Sequence, residues 1–362
     1  MAPRFQLRGD RSIAEGNLID AECYGMSSSS VEHGGCLYRY ADTVVSGAWP
    51  LPELSAVESV AGARAIMAVR ILDAPLSEPA ETDWIHHSPP ESGALSLALS
   101  SQGEGFLLRF PGLADFAISR DGLQIGAWPA PPASVETLRH LLLDQVLPRV
   151  LAQQGRMVLH AGAVKVGGQA IAFIGDTGRG KSTLTASFHA AGFQLLSDDG
   201  LVLARGEGFT LALPTYPSLR LWPAAIDGLY ARPPTVAPMA HYSTKQRVVM
   251  TDVAAAATNP LPLTALYVLA SEPNIDDAGI SITTLSPREA CMAIIRNSFQ
   301  LDVIDRRRAA ATLLAASRIA QHLPVFSLTF PRVFERLPDV RGAILRERGQ
   351  WSIGDSDNTI LA

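Results

Sequence analysis

Residues 174–184 read IGDTGRGKSTL, and the interpretation of the whole chain starts from this stretch. Gly175, Gly180, Lys181 and Ser182 satisfy the pattern G-x-x-x-x-G-K-[ST]. An apolar segment precedes the pattern and a helix-forming segment follows it, which is the strand, loop and helix context that the motif requires. The stretch therefore predicts a loop that binds the phosphates of a nucleoside triphosphate.

The residue types of this loop determine its chemistry. Glycines let the backbone turn so that successive N–H groups point at phosphate oxygens, and the helix N-terminus adds about half a positive charge. Lys181 is placed to bridge the β- and γ-phosphates, and the Ser182 hydroxyl to bind Mg²⁺. We therefore predict ATP and Mg²⁺ as cofactors. The predicted nucleotide-binding residues are Gly175, Asp176, Thr177, Gly178, Arg179, Gly180, Lys181, Ser182 and Thr183.

Two carboxylates and one imidazole flank the loop. Asp198 and Asp199 lie 17 and 18 residues beyond Lys181, after one helix and one strand, which can return the chain to the mouth of the loop. With Gly200 next, the chain can bend so that one carboxylate holds Mg²⁺ and the other accepts a proton; an ordinary turn is the alternative. His160 ends the apolar segment RMVLH, where it is either a buried structural residue or a partner of one aspartate.

Two other nucleotide-binding signatures are missing from the chain. It contains no NKxD stretch, which would select guanine, and no transporter-type LSGGQ segment. These absences favour transfer of phosphate to another molecule. Two alternatives stay open: a regulatory protein that binds a nucleotide without transferring phosphate, and a kinase that acts on the hydroxyl of a small molecule.

Residues 159–203, LHAGAVKVGGQAIAFIGDTGRGKSTLTASFHAAGFQLLSDDGLVL, resemble the HPr kinase/phosphorylase family and its relatives. That family has a histidine on the strand before the loop and an aspartate pair after it, on a fold akin to phosphoenolpyruvate carboxykinase. The resemblance implies that Asp198 is the base that takes the proton from an acceptor serine and that His160 supports it. It also implies that Lys181 and Ser182 hold phosphate and metal, with Asp199 as a second metal-binding residue.

The resemblance is looser outside this core. Residues 286–299 and 323–340 look like the closing helices and strand of HPr-kinase-like proteins, whereas the first 130 residues do not resemble the N-terminal domain of the bifunctional enzyme. In this respect the chain is similar to the kinases of lasso-peptide gene clusters, which phosphorylate the C-terminal serine of a precursor peptide. This implies a peptide substrate with an acceptor serine, and possible assembly into a homo-oligomer.

A kinase of this type needs cations near the transferred phosphoryl group. Arg220, Lys245 and Arg247 are candidates for holding a peptide carboxylate or a phosphate, and each could equally be an ordinary surface charge. The Pro-rich segment 230–246 lacks periodicity and predicts either a mobile loop over the site or a surface excursion.

The predicted fold class is α/β, with a P-loop kinase core of the HPr kinase and phosphoenolpyruvate carboxykinase type built on a mixed sheet, and a smaller β-rich N-terminal domain. Short alternating segments predict the β-rich domain over residues 1–130, and the prolines of PAPPAS mark its end. The catalytic domain is predicted over residues 131–345, followed by a tail over residues 346–362. Ser134 and Ser286 are predicted helix caps.

Composition excludes several functions. The 362 residues carry a formal charge of −5 without a basic block, so we expect no binding to nucleic acid and none to anionic membranes. No run of apolar residues is long enough to span a bilayer and no signal segment is evident, so we expect a cytoplasmic protein. Three scattered cysteines and the adjacent His86 and His87, in a predicted loop, suggest neither a disulfide framework nor a zinc site.

Overall fold

A computed structural model describes residues 36–47, 49–88, 96–102, 105–250, 256–270 and 279–349. Within these ranges, every helix is too short or too polar to cross a lipid bilayer. Cys36 and Cys291 are free thiols, and Cys23 lies outside the described residues.

The first sheet is formed by strands from the N-terminal part of the chain. Among the described residues its order is β3-β1-β2-β4-β9-β8-β7-β6-β5. The strands are β1 Cys36–Tyr40, β2 Thr43–Gly47, β3 Ser55–Ala56, β4 Ile66–Ile71, β5 Trp84–Ser88, β6 Leu97–Gln102, β7 Gly105–Phe110, β8 Ala114–Ser119 and β9 Gln124–Pro129. Turns at Gly112 and Gly122 join β7 to β8 and β8 to β9, and both glycines have φ of 72°, which disfavours other residues. His86 and His87 lie in β5, so the loop predicted for them is wrong.

A helical segment covers this sheet. Helix α1, Val135–Leu141, passes through a π-helical turn, Leu142–Val146, into α2, Leu147–Gln153. The Ser134 hydroxyl accepts a hydrogen bond from the Thr137 N–H, which confirms the predicted cap. One apolar core contains residues of the first sheet, of these helices and of Val158, Val202 and Leu213 further along the chain, so it crosses the boundary predicted near residue 130. The domain division stays a prediction.

The second sheet is mixed and carries the phosphate loop. Its main path among the described residues runs β10-β14-β15-β19-β12-β11-β13, with β21 beside β19 and β20 beside β21. The strands are β10 Met157–Leu159, β11 Ala161–Val166, β12 Gln169–Ile174, β13 Leu195–Ser197, β14 Leu201–Arg205, β15 Thr210–Leu213, β19 Leu261–Leu269, β20 Ser281–Thr284 and β21 Val325–Thr329. A turn at Gly167-Gly168, a glycine pair typical of hairpins, joins β11 to β12 as an antiparallel hairpin, and β12 pairs in parallel with β19. The mixed α/β class is therefore confirmed.

A small third sheet has the order β16-β18-β17 and consists of β16 Ser218–Leu221, β17 Val236–Ala240 and β18 Ser243–Val249. Because β17 and β18 form a hairpin over much of residues 230–246, the loop predicted there is wrong in most of its length. The remaining helices are α3 Lys181–Ala190, α4 Pro223–Leu229, α5 Pro287–Arg296, α6 Arg306–His322 and α7 Leu337–Glu347.

The C-terminal helices pack on the second sheet. Ser286 caps α5 in a reciprocal arrangement with Glu289, as its position predicted. Apolar residues of α5 and α6 join the core on one face of the sheet, and those of α3 and α7 join a core that contains Phe173 and Tyr267. Helix α7 extends to Glu347, and residues 350–362 of the predicted tail lie outside the described residues.

Candidate active site

The phosphate loop connects the end of β12 to the start of α3. Gly175, Gly178 and Gly180 have φ of 145°, 81° and 89°, values that only glycine adopts readily. At Gly175 a Cβ atom would lie 3.0 Å from the carbonyl oxygen of Leu269, so a side chain there meets backbone as well as strain. Gly180 caps α3 and its carbonyl accepts the Leu184 N–H. The motif glycines Gly175 and Gly180 therefore lie at positions whose backbone conformation disfavours any residue with a side chain.

Lys181 folds back over the loop. Its Nζ donates to the carbonyl oxygens of Gly175 at 2.7 Å and Asp176 at 3.1 Å, and the residue is 6% exposed. Burial lowers the pKa of this ammonium, while the charges of Asp199, Asp198 and Asp176 oppose that shift. The loop lysine therefore lies in the electrostatic field of both members of the aspartate pair.

The aspartate pair follows β13, and the backbone turns sharply within it. Asp199 has φ of 68°, a left-handed conformation that is uncommon for residues other than glycine and costs about 1–3 kcal/mol. The Ser197 hydroxyl donates to the Gly200 carbonyl at 2.7 Å and thereby closes the turn. Because of this turn, the two carboxylates do not point to opposite faces as strand neighbours do.

Asp198 is the more enclosed member of the pair, at 1% exposure. Its Oδ2 accepts the Arg220 backbone N–H at 3.2 Å, whereas Oδ1 is shielded from solvent and accepts no well-formed hydrogen bond from the described residues. Burial raises the pKa of this carboxyl to about 7 and the charge of Asp199 adds to the rise, while Arg220 and the nearby Ser182 hydroxyl oppose it. A buried carboxylate oxygen beside the Ser182 hydroxyl, without a well-formed hydrogen bond of its own, is suited to a cation.

Asp199 meets the predicted histidine. Its Oδ1 lies 3.1 Å from Nε2 of His160, and its Oδ2 accepts from the Arg220 guanidinium at 3.1 Å. Burial alone would raise the pKa of Asp199, but the His160 hydrogen bond and the charge of Arg220 outweigh it and hold that pKa well below its ordinary value. The Asp199 and His160 side chains are 24% and 35% exposed, so solvent reaches this pair.

Asn297 links His160 to the phosphate loop through one backbone contact and one side-chain contact. The His160 N–H donates to the carbonyl of Asn297 at 2.7 Å, and the side-chain oxygen of Asn297 accepts the Gly175 N–H at 2.9 Å. Asn297 is the C-cap of α5, so one residue joins the helix end, the histidine strand and the start of the phosphate loop. Sequence reasoning missed this residue, although it lies in a segment that the family resemblance covered.

Arg220 is buried beneath the pair. Besides Asp199, its guanidinium binds Asp144 Oδ1 at 2.6 Å, and it lies 5.0 Å above the Tyr216 ring. The Tyr216 hydroxyl and His140 also contact the Asp144 carboxylate. The guanidinium of Arg220, at 4% exposure, is therefore engaged with internal carboxylates and not directed at a substrate. Asp144 was missed, although a lone carboxylate within LLLDQVLP was a visible signal.

The other predicted substrate cations lie in different surroundings. The Lys245 Nζ is 5.3 Å from the ring of Trp222, which is 52% exposed, and its charge contributes to the low pKa of Asp199. Arg247 lies 3.6 Å from Glu53 and is partly buried. Within the phosphate loop, Arg179 lies 3.8 Å from the carboxylate of Asp176. Among Arg220, Lys245 and Arg247, Lys245 is therefore the residue that lowers the pKa of Asp199 and is also partly exposed to solvent.

The described residues include no group of three or more His, Cys, Asp or Glu side chains arranged to hold a metal ion on their own. Mg²⁺ does not require such a group, because it keeps several waters and is bound by one or two carboxylates together with the substrate phosphates. The Ser182 hydroxyl and the orphaned Asp198 Oδ1 supply oxygen donors of that kind beside the loop. The residues present therefore fit Mg²⁺ carried with a nucleotide.

Comparison with known proteins identifies no family. No family model and no curated protein matches the chain. Among solved structures, the chain is similar to the HPr(Ser) kinase/phosphatase from Coxiella burnetii at 14% sequence identity and a TM-score of 0.26. The similarity covers 53% of this chain and 99% of that one. At this level it adds nothing to the geometry described above.

Proposed function

We propose that the chain is an ATP-dependent kinase that transfers the γ-phosphoryl group of Mg²⁺-bound ATP to a hydroxyl. The observation that carries this proposal is the convergence of the phosphate loop, the aspartate pair and His160, which are far apart in sequence: His160 contacts Asp199 and is tied to Gly175 of the loop through Asn297. Phosphoryl transfer requires mainly positioning and charge stabilisation, and these groups provide both.

Each group has a role that its surroundings support. The backbone N–H groups of the loop and Lys181 would bind the β- and γ-phosphates, and Ser182 with Asp198 would hold Mg²⁺, which would neutralise part of their charge. The acceptor oxygen forms a bond to the γ-phosphorus while the bond from that phosphorus to the β–γ bridging oxygen breaks, which releases ADP. The proton of the acceptor hydroxyl passes to the carboxylate of Asp199, whose position His160 and Arg220 fix.

The two aspartates are thereby given roles opposite to those expected from the sequence, where Asp198 was the base and Asp199 bound the metal. Solvent access supports the exchange, because an acceptor hydroxyl must reach the base to within hydrogen-bond distance. Asp199 is 24% exposed beside His160, whereas Asp198 is 1% exposed and lies beside Ser182. The exchange also matches other P-loop enzymes, in which a carboxylate next to the loop serine holds Mg²⁺.

The narrower proposal concerns the acceptor. Because residues 159–203 resemble HPr-kinase-like proteins and the N-terminal region does not match the bifunctional enzyme, we propose a serine at the C-terminus of a lasso-peptide precursor. This part rests on the resemblance, and assembly into a homo-oligomer stays a prediction of the same kind.

The test uses ATP labelled at the γ-phosphate with short peptides that end in serine. Asp199→Asn is expected to retain nucleotide binding and lose at least about 100-fold in transfer rate, in line with the loss of a general base. Asp198→Asn is expected to raise the Mg²⁺ concentration needed for half-maximal activity. Asp227→Asn, an exposed aspartate on α4, is the matched control and should leave both values unchanged.

Three results would contradict the proposal. Binding of ATP without transfer to any hydroxyl would indicate the regulatory alternative. Transfer by Asp199→Asn at a rate near that of the unmodified chain would remove the proposed base. Transfer to free metabolites but to no peptide would leave a small-molecule kinase.

A further inference from the structure

A cavity of about 800 Å³ opens on the His160 side of the phosphate loop. Residues 175–177 of the loop form one end, together with His160, and the last residues of α5 with the segment after it, residues 295–301 and 303, form one side. Three leucines of the first sheet, Leu97, Leu99 and Leu108, contribute an apolar wall. The cavity therefore begins at the acceptor-facing side of the proposed active site and extends toward the N-terminal sheet.

Arg149 of α2 lines this cavity and has no acidic partner among the described residues. Its Nη1 donates to the carbonyl oxygen and the Oε1 of Gln145, at 2.8 and 2.9 Å. Partial burial lowers the pKa of the guanidinium to about 10, and no carboxylate opposes this effect. Arg220, by contrast, is buried between two carboxylates. A partly desolvated charge without a counterion is unfavourable, so an anion that enters the cavity gains from meeting it.

Phe299 places this cation close to the active site. The guanidinium carbon of Arg149 lies 5.1 Å from the centre of the Phe299 ring, and the His160 ring lies 5.8 Å from the same centre. Arg149 and His160 are thus separated by little more than one aromatic ring. An extended chain advances about 3.5 Å per residue. A hydroxyl beside Asp199 and His160 and an anion beside Arg149 can therefore belong to the same residue or to neighbouring residues.

We propose that this cavity is the acceptor subsite and that Arg149 binds a carboxylate of the acceptor, while the leucine wall holds an apolar part of it. The inference rests on the proposed kinase function and adds to it the residue and the cavity that would recognise the acceptor: a hydroxyl compound with a carboxylate about one residue away. A peptide that ends in a hydroxyl residue and a free hydroxy acid share this chemistry. The volume is in the range of pockets that take drug-sized ligands, which favours the peptide end.

The experiment compares a short apolar peptide that ends in serine with a free carboxylate and the same peptide as its C-terminal amide. A hydrogen-bonded ion pair predicts a KM for the acid about 10- to 100-fold lower than for the amide, with similar kcat. Arg149→Gln should raise the KM of the acid toward that of the amide and leave the amide unchanged, and Arg149→Lys should recover part of the difference. Arg318→Gln, an exposed arginine on α6, is the control.

Two readouts separate this inference from a loss of fold and from failure of the kinase proposal. Unchanged thermal unfolding and ATP affinity of Arg149→Gln show that the variant is folded. If the chain transfers phosphate to no hydroxyl, fluorescence anisotropy of labelled acid and amide peptides still tests the subsite by affinity alone. Equal use or equal binding of acid and amide by the unmodified chain overturns the inference. An equal effect of Arg149→Gln on both peptides, or a preference for free serine over the peptide, overturns it as well.

Discussion

Replacing Arg220 by Gln tests whether the buried ion network beneath the aspartate pair stabilises the fold. Arg220 and Asp144 are 4% and 1% exposed and lie 2.6 Å apart, and Arg220 also binds Asp199 at 3.1 Å. Glutamine cannot neutralise two carboxylates, so Asp144 would remain charged and buried without the Arg220 guanidinium, with only His140 and the Tyr216 hydroxyl in contact with it. The hydrogen bond from the backbone of residue 220 to Asp198 does not depend on the side chain.

The magnitude follows from the burial of the pair. Breaking a buried ion pair by removing one partner costs about 3–5 kcal/mol, mostly because the remaining charge stays desolvated. We expect Arg220→Gln to lower the free energy of unfolding by that amount. Asp144→Asn removes the charge that would be stranded, so the double variant should lose at least about 2 kcal/mol less than the sum of the single variants.

The assay is urea unfolding followed by circular dichroism, without nucleotide, on both single variants and the double variant. The control is Arg336→Gln, which breaks the pair with Asp339, whose side chains are 47% and 61% exposed. An exposed pair is worth at most about 1 kcal/mol, so this variant should barely move the unfolding curve. A loss below about 1 kcal/mol in Arg220→Gln, or strict additivity in the double variant, would refute the reasoning.

Three further substitutions test the loop and its support. Gly162→Ala would place a Cβ 2.1 Å from the Thr185 hydroxyl of α3, so we expect a loss of about 1–3 kcal/mol, measured by thermal unfolding; an unchanged midpoint would contradict the packing. Gly175→Ala adds a side chain at φ of 145° against the Leu269 carbonyl and should weaken ATP binding at least about tenfold by calorimetry. Lys181→Met should stay folded yet lose about 10- to 100-fold in ATP affinity, and retained affinity would exclude a phosphate role for this lysine.

The parts of the fold that are encoded locally could be predicted from the sequence. The Gly167-Gly168 hairpin, the phosphate loop and the caps at Ser134 and Ser286 each depend on residues within a few positions of one another. The placement of His160 beside Asp199 required more, because 39 residues separate them. Its prediction came from the spacing around the loop and from a family resemblance, not from periodicity.

What the sequence did not reveal depends on long-range packing or on one backbone angle. Asp144 reaches Arg220 across 76 positions, and Arg149 meets Phe299 only because α2 packs beside the segment after α5. The sharp turn within the aspartate pair depends on the left-handed φ of Asp199, which no residue pattern predicts. The hairpin over residues 236–249 was mistaken for a loop because its strands contain proline and short alternations.

Under the proposed function, the contacts of Lys181 couple nucleotide binding to the order of the phosphate loop. Its ammonium donates to two carbonyls of its own loop, and burial lowers its pKa although three aspartates act in the opposite direction. A phosphate that takes up this ammonium must break the contacts with Gly175 and Asp176, so part of the binding energy goes into rearranging the loop. Gly175 is also tied to Asn297, whose carbonyl holds His160, at the edge of the Arg149 cavity. A shift of Gly175 on nucleotide binding would therefore reach the acceptor side of the site through Asn297. We expect the affinity for the peptide, measured with and without ATP, to depend less on ATP in Asn297→Ala than in the unmodified chain.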